Sequence, residues 1–106
     1  MRQYNESSNG QEIDLQTGQK FEVRLRENPT TGFRWNVLSG GEPTCKTLAD
    51  VYEPPDSGLH GQEGTRYWRF EAVQAGYAHI ELLYRRSWES AGNAARRFIL
   101  NVRVNM

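Results

Sequence analysis

Apolar and polar residues alternate with a period of two along most of this chain. Residues 20–27 set Phe21, Val23 and Leu25 on one side against Glu22, Arg24 and Arg26 on the other, the pattern of a strand with one buried face. Residues 33–38 repeat it with Phe33, Trp35 and Val37. Residues 66–73 place Trp68, Phe70 and Ala72 together, against Tyr67, Arg69 and Glu71. Residues 77–84 align Ala78, Ile80, Leu82 and Tyr84, and residues 97–104 align Phe98, Leu100, Val102 and Val104. Two weaker stretches, 12–15 and 44–52, complete a set of about seven short strands separated by Gly, Pro and Asn signals. The one helix-compatible stretch, 90–95, is short and interrupted by Gly92. The expectation is an all-β, immunoglobulin-like antiparallel β-sandwich, one domain spanning residues 1–106, a length that suits one core and is too short for two.

That architecture selects one end of the molecule. Successive connections in such a sandwich alternate between its two ends. The second, fourth and sixth connections (28–32, 53–64 and 85–94) therefore share an end, and they are the unusual ones. The connections at the other end, 16–18, 39–43 and 74–76, are plain turns. Loops gathered on a rigid scaffold are where binding is usually carried.

Each of the three has its own chemistry. Asn28, Pro29, Thr30, Thr31 and Gly32 form a tight turn whose backbone Pro29 and Gly32 constrain. Such a pre-organised turn loses little entropy on binding. The fourth connection is long and glycine-rich and ends in Gly61, Gln62, Glu63 and Gly64; no phosphate-loop signature follows it. The sixth contains Arg86, Ser87 and Trp88. A Trp beside Arg beyond the last core position has the composition of a binding hot spot, unless the ring folds back to cap the core.

Composition removes several function classes. Charged residues make up 25% of the chain and balance to a net charge of zero, which gives a polyanion-binding role no support. The distribution is uneven: five acids and one base lie between residues 42 and 63, and five arginines and one acid follow from residue 85. No apolar run is long enough to cross a membrane. Cys45 is the single cysteine, so an intramolecular disulfide is excluded and a small buried hydrophobe is expected. His60 and His79 have no triad or metal-ligand spacing with it, so neither an enzyme nor a metal or other cofactor is expected. The N-terminus lacks the apolar segment of a signal peptide, which leaves a cytoplasmic protein or the mature part of an exported one.

The three loops, taken in order, resemble the signatures NPTTG, GxGG and RPW of the chagasin family of cysteine protease inhibitors. The first is intact from Asn28 to Gly32, the second corresponds to Gly61, Gln62, Glu63 and Gly64, and the third to Arg86, Ser87 and Trp88. The resemblance extends through Tyr52, Glu53, Pro54, Pro55, Asp56 and Ser57 and covers most of the chain. It departs from the family at Glu63, in place of a glycine, and at Ser87, in place of the proline. It implies a monomeric, reversible, tight-binding inhibitor that fills the cleft of a papain-like cysteine protease, with no nucleic-acid or membrane partner. By the same resemblance the 28–32 loop sits nearest the catalytic Cys–His pair, with Thr31 in closest contact and Pro29 stiffening it. The 61–64 loop lies along the non-primed side, and Trp88 packs on the primed side with Arg86 orienting it. Two other readings stand beside it. A carbohydrate-binding or adhesion sandwich would stack sugars on Trp88, Tyr67 and Trp68, and a nucleic-acid module would set Arg85, Arg86, Arg96, Arg97 and Arg103 against phosphates.

Overall fold

The computed structural model describes residues 1–55 and 63–106, among which eight strands form two four-stranded sheets. In chain order these are β1 (Arg2–Tyr4), β2 (Gln11–Gln16), β3 (Lys20–Glu27), β4 (Phe33–Gly40), β5 (Cys45–Glu53), β6 (Gly64–Ala72), β7 (Gly76–Arg86) and β8 (Arg96–Asn105). The sheets run β1-β3-β6-β5 and β2-β8-β7-β4. The expected sandwich is present, with one strand more than the seven predicted. That strand, β1, is three residues long and carries no apolar alternation by which a sequence could reveal it. The sheets are also mixed: β1 lies parallel to β3 and β2 parallel to β8, while the other pairings are antiparallel. The N-terminal segment causes this by lending β1 to an edge of one sheet and β2 to an edge of the other.

The alternating positions meet between the sheets. Phe21, Val23 and Leu25 of β3 and Trp68 and Phe70 of β6 are buried against Ile80 and Leu82 of β7 and Phe98, Leu100 and Val102 of β8. Phe21 stacks on Phe70 with ring centroids 5.1 Å apart. Each such side chain contributes about 1.5–3 kcal/mol by leaving water, which makes this layer the rigid base of the loops. Cys45 is buried as expected, and burial pushes its thiol pKa up to about 11, so it is unreactive at neutral pH.

Several positions depart from simple alternation, three of them for clear local reasons. Val37 is exposed because β4 is an edge strand whose register slips between Val37 and Ser39. Glu22 lies on the outward phase yet is buried, covered by Arg24 and Arg69, which ion-pair with it at 3.1 and 3.0 Å. Leu83, also on the outward phase of β7, is buried between Asn36 and Arg97 of the flanking strands.

Strand register confirms the grouping of the loops. Phe33 pairs with Arg86, so the β3–β4 and β7–β8 connections leave side by side. Glu27 pairs with Gly64, and Glu53 with Thr65, which brings both ends of the β5–β6 connection to the same end.

Candidate functional site: three loops at one end of the sandwich

The site rests on a buried acid. Glu27, the last residue of β3, continues the inward phase of Phe21, Val23 and Leu25 and is 1% exposed. Its Oε1 accepts the Trp35 backbone N–H at 2.7 Å and Arg66 Nε at 2.9 Å. Arg66 reaches on to Asp50 at 2.8 Å, and Trp35 Nε1 donates to the Arg26 carbonyl at 2.8 Å. Burial works against the charge on Arg66, but its hydrogen bonds to Glu27 and Asp50 outweigh this and raise its pKa. One carboxylate thus ties β3, β4 and β6 together beneath the loops, with β5 joined through Arg66. No motif marks this residue in the sequence. Its only signal is an acid in phase with three apolar residues.

The first loop is closed by its own side chains. Residues Pro29–Thr31 form a 3-10 turn capped by Asn28, whose Oδ1 accepts the Thr30 N–H at 3.2 Å and the Thr30 hydroxyl at 2.6 Å. Thr31 donates its hydroxyl to the Asn28 carbonyl at 2.7 Å, and Gly32 donates its N–H to the Pro29 carbonyl at 3.1 Å. Gly32 has φ of +83°, the left-handed region that favours glycine at the end of such a turn. The Asn28 N–H donates to Tyr84 Oη at 3.2 Å, which fixes the turn to β7. Thr30 and Thr31 are exposed. Both hydroxyl protons are used inside the turn, so the two oxygens are left as acceptors, that of Thr31 already taking the Phe33 N–H at 3.4 Å.

The third loop lies against the first. Glu89 donates its N–H to the Arg86 carbonyl at 3.0 Å, so residues 86–89 make a β-turn with Ser87 at its second position. The Glu89 side chain accepts the Arg86 N–H at 3.2 Å. Trp88 is 74% exposed, which settles against a core-capping role. The Arg86 guanidinium lies 4.4 Å from the Phe33 ring centroid and 5.8 Å from that of Trp88. Phe33 stacks on Tyr84 at 5.4 Å, and Tyr84 contacts Trp35 at 5.0 Å. A continuous stack therefore runs from the buried Trp35 through Tyr84, Phe33 and Arg86 to the exposed Trp88. Phe33 and Tyr84, both read from sequence as core positions, are the links that carry it.

Of the second loop, Gly61 and Gln62 lie outside the described residues. Glu63 is exposed and faces Arg26 at 4.0 Å. Gly64 is buried at the start of β6, where a Cβ would fall 2.4 Å from both the Glu53 carbonyl oxygen and Tyr52 Oη. The absence of a side chain at Gly64 thus serves packing inside the protein. Among the described residues no group of His, Cys, Asp and Glu side chains is placed to hold a metal ion. Of the three aromatics that a carbohydrate-binding face would use, Trp68 is fully buried, Tyr67 has Arg24 and Arg69 over its ring at 5.0 and 5.1 Å, and Trp88 is exposed at a loop tip.

Comparison with known proteins fixes what this arrangement belongs to. Residues 14–102 match the chagasin family of peptidase inhibitors. The chain belongs to that family. It is 32% identical to chagasin from Trypanosoma cruzi over 92% of each chain, and 36% identical to amoebiasin-1 from Entamoeba histolytica over 93% of this chain and 95% of that one. Its fold superposes on the cysteine protease inhibitor EhICP2 from Entamoeba histolytica with a TM-score of 0.85, covering 98% and 95% of the two chains at 24% identity. A chagasin-family chain is an inhibitor of peptidases, not an enzyme. The segment likened in sequence to the family's first signature is the self-closed turn at 28–32, and the one likened to its third is the turn that holds out Trp88.

Proposed function

We propose that this chain inhibits papain-type cysteine proteases reversibly, with the loops at one end of the sandwich filling the active-site cleft. The observation that carries the reading is the pairing of a turn closed by its own hydrogen bonds with an exposed Trp in contact with its flank, on one rigid frame. The turn at 28–32 enters nearest the catalytic Cys–His pair, where its acceptor oxygens and small side chains allow close approach. The loop ending in Gly61, Gln62, Glu63 and Gly64 runs along one side of the cleft, by strand-like backbone hydrogen bonding. Trp88 packs on the other side, with Arg86 behind it. Occlusion needs no cofactor and no chemistry from the inhibitor. The turn also resists cleavage, because its internal bonds hold the peptide out of attack geometry.

The test is a titration of papain and a cathepsin L-like enzyme with the purified chain under reducing conditions. The expected result is stoichiometric, reversible inhibition, with the chain recovered uncut. Absence of inhibition at micromolar concentrations, or cleavage within 28–32, would overturn the reading.

A further inference from the structure

Arg2 apart, which donates to the Asp14 carbonyl at 2.7 Å, the arginines of this protein fall into two sets. Arg24, Arg26, Arg66 and Arg69, all on the sheet containing β3, each pair with a carboxylate, as do Arg97 with Glu81 and Arg103 with Asp14. Arg34, Arg85, Arg86 and Arg96, clustered at the loop end of the other sheet, have no carboxylate partner among the described residues. Arg34 and Arg85 stand directly opposite each other on β4 and β7, a like-charge cross-strand pair that works against folding. Arg85 donates to the Glu89 carbonyl at 2.6 Å and Arg96 lies over the Tyr84 ring at 5.8 Å, neutral partners that leave the positive charge uncompensated. Beside Arg34 and Arg85 opens a groove of about 430 Å³, which these two line together with Asn36, Pro29, Ser87 and Trp88. It is continuous with the loops proposed to enter the protease.

We propose that this groove is a specificity site for a carboxylate-rich rim on the target protease, beside the part of the cleft that receives Trp88. The inference rests on the inhibitory reading above and deepens it. Arg34 and Arg85 in the groove, with Arg86 against Trp88 at its edge, raise the rate of encounter with an acidic surface. The same groups repel enzymes whose rim is basic, which is discrimination by unfavourable pairing. Arg34 is the informative residue: it is exposed, lies outside the three loops and makes no side-chain hydrogen bond or ion pair among the described residues.

The experiment measures association rate constants and inhibition constants against a panel of papain-type proteases graded by the acidity of that rim. It compares the parent with Arg34→Gln, Arg34→Glu and Arg34→Gln/Arg85→Gln, each checked for an unchanged melting temperature. For acidic-rim enzymes in low salt, the association rate is expected to fall about tenfold for the double variant, and further for Arg34→Glu. The difference should close in 0.5 M NaCl, and basic-rim enzymes should be inhibited as well or better. Equal effects across the panel, or no salt dependence, would overturn the inference while leaving inhibition itself intact. A parent that inhibits no enzyme of the panel would instead overturn the functional reading. Salt-sensitive binding of a single-stranded oligonucleotide, lost in the Arg34 variants while inhibition is unchanged, would also overturn it and assign the groove to nucleic acid.

Discussion

The two turns that flank the site are held in opposite ways. The turn at 28–32 is closed from within: Thr30 and Thr31 bond to Asn28, Gly32 bonds to Pro29, and Tyr84 Oη accepts the Asn28 N–H from outside. The turn at 86–89 has one backbone bond across it, one to the Glu89 side chain, and one from the Arg85 guanidinium to the Glu89 carbonyl at 2.6 Å. Its Trp88 is positioned from without, by Arg86 lying over Phe33 of the neighbouring strand. The first turn is therefore rigid by itself, whereas the second depends on Arg85 beside it and on the stack beneath it. The first suits a part that must enter a narrow cleft without deforming. The second suits a part that adjusts to the partner's surface.

Both depend on the frame at Glu27, so the strongest way to break the comparison is to remove what they share. Among the described residues, Glu27→Ala leaves the Arg66 guanidinium with Asp50 and the Tyr52 ring, and the Trp35 N–H without its acceptor. Breaking a buried pair from one side costs about 3–5 kcal/mol; with Asp50 retained, a loss near about 3 kcal/mol is expected. Urea unfolding should show it directly, and inhibition should weaken with both turns displaced. A variant of parental stability would show that the core alone holds the frame.

How much of this was legible beforehand follows from what kind of signal each feature gives. Strands with one buried face, such as 20–27 and 77–84, declare themselves by alternation, and the convergence of the loops followed from alternating connections. The first turn was legible because Pro and Gly restrict the backbone locally. Three features were not. β1 joins its sheet through backbone pairing and carries no periodicity. Glu27 looks like any surface acid until its phase with Leu25 is followed one step further. The ion pairs that divide neutralised arginines from free ones depend on cross-strand register, as in Glu22 with Arg69, and register is not written in either strand alone.

The two turns separate in the next pair of substitutions. Trp88→Ala should weaken binding by about 1–3 kcal/mol and leave the melting temperature unchanged, because a side chain 74% exposed contributes little to folding. Inhibition constants and calorimetry on the same sample check both parts, and a lower melting temperature would mean that the ring supports the fold. Asn28→Ala should behave differently. It removes the cap of the 3-10 turn, costing about 1 kcal/mol of stability, and loosens the part that must enter the cleft. Both stability and affinity should then fall. If affinity were retained in Asn28→Ala, the first turn would not owe its effect to pre-organisation.

The smallest expected effect sharpens the comparison most, because it converts one turn toward the other. Ser87 occupies the second position of the 86–89 turn, a site whose backbone suits proline. Among its described interactions it has no side-chain bond to lose. Ser87→Pro should therefore stabilise the free protein by about 0.4–1 kcal/mol, chiefly by restricting the unfolded chain. It should also slow dissociation from the protease, since less ordering is left to occur on binding. The slower dissociation should be largest for enzymes that accept Trp88 in its unbound position and should vanish for those that require it to move. A uniform change across a protease panel would mean that the third turn is already as rigid as the first. A Ser87→Pro variant that dissociates faster everywhere would mean that its freedom to adjust is what the serine provides.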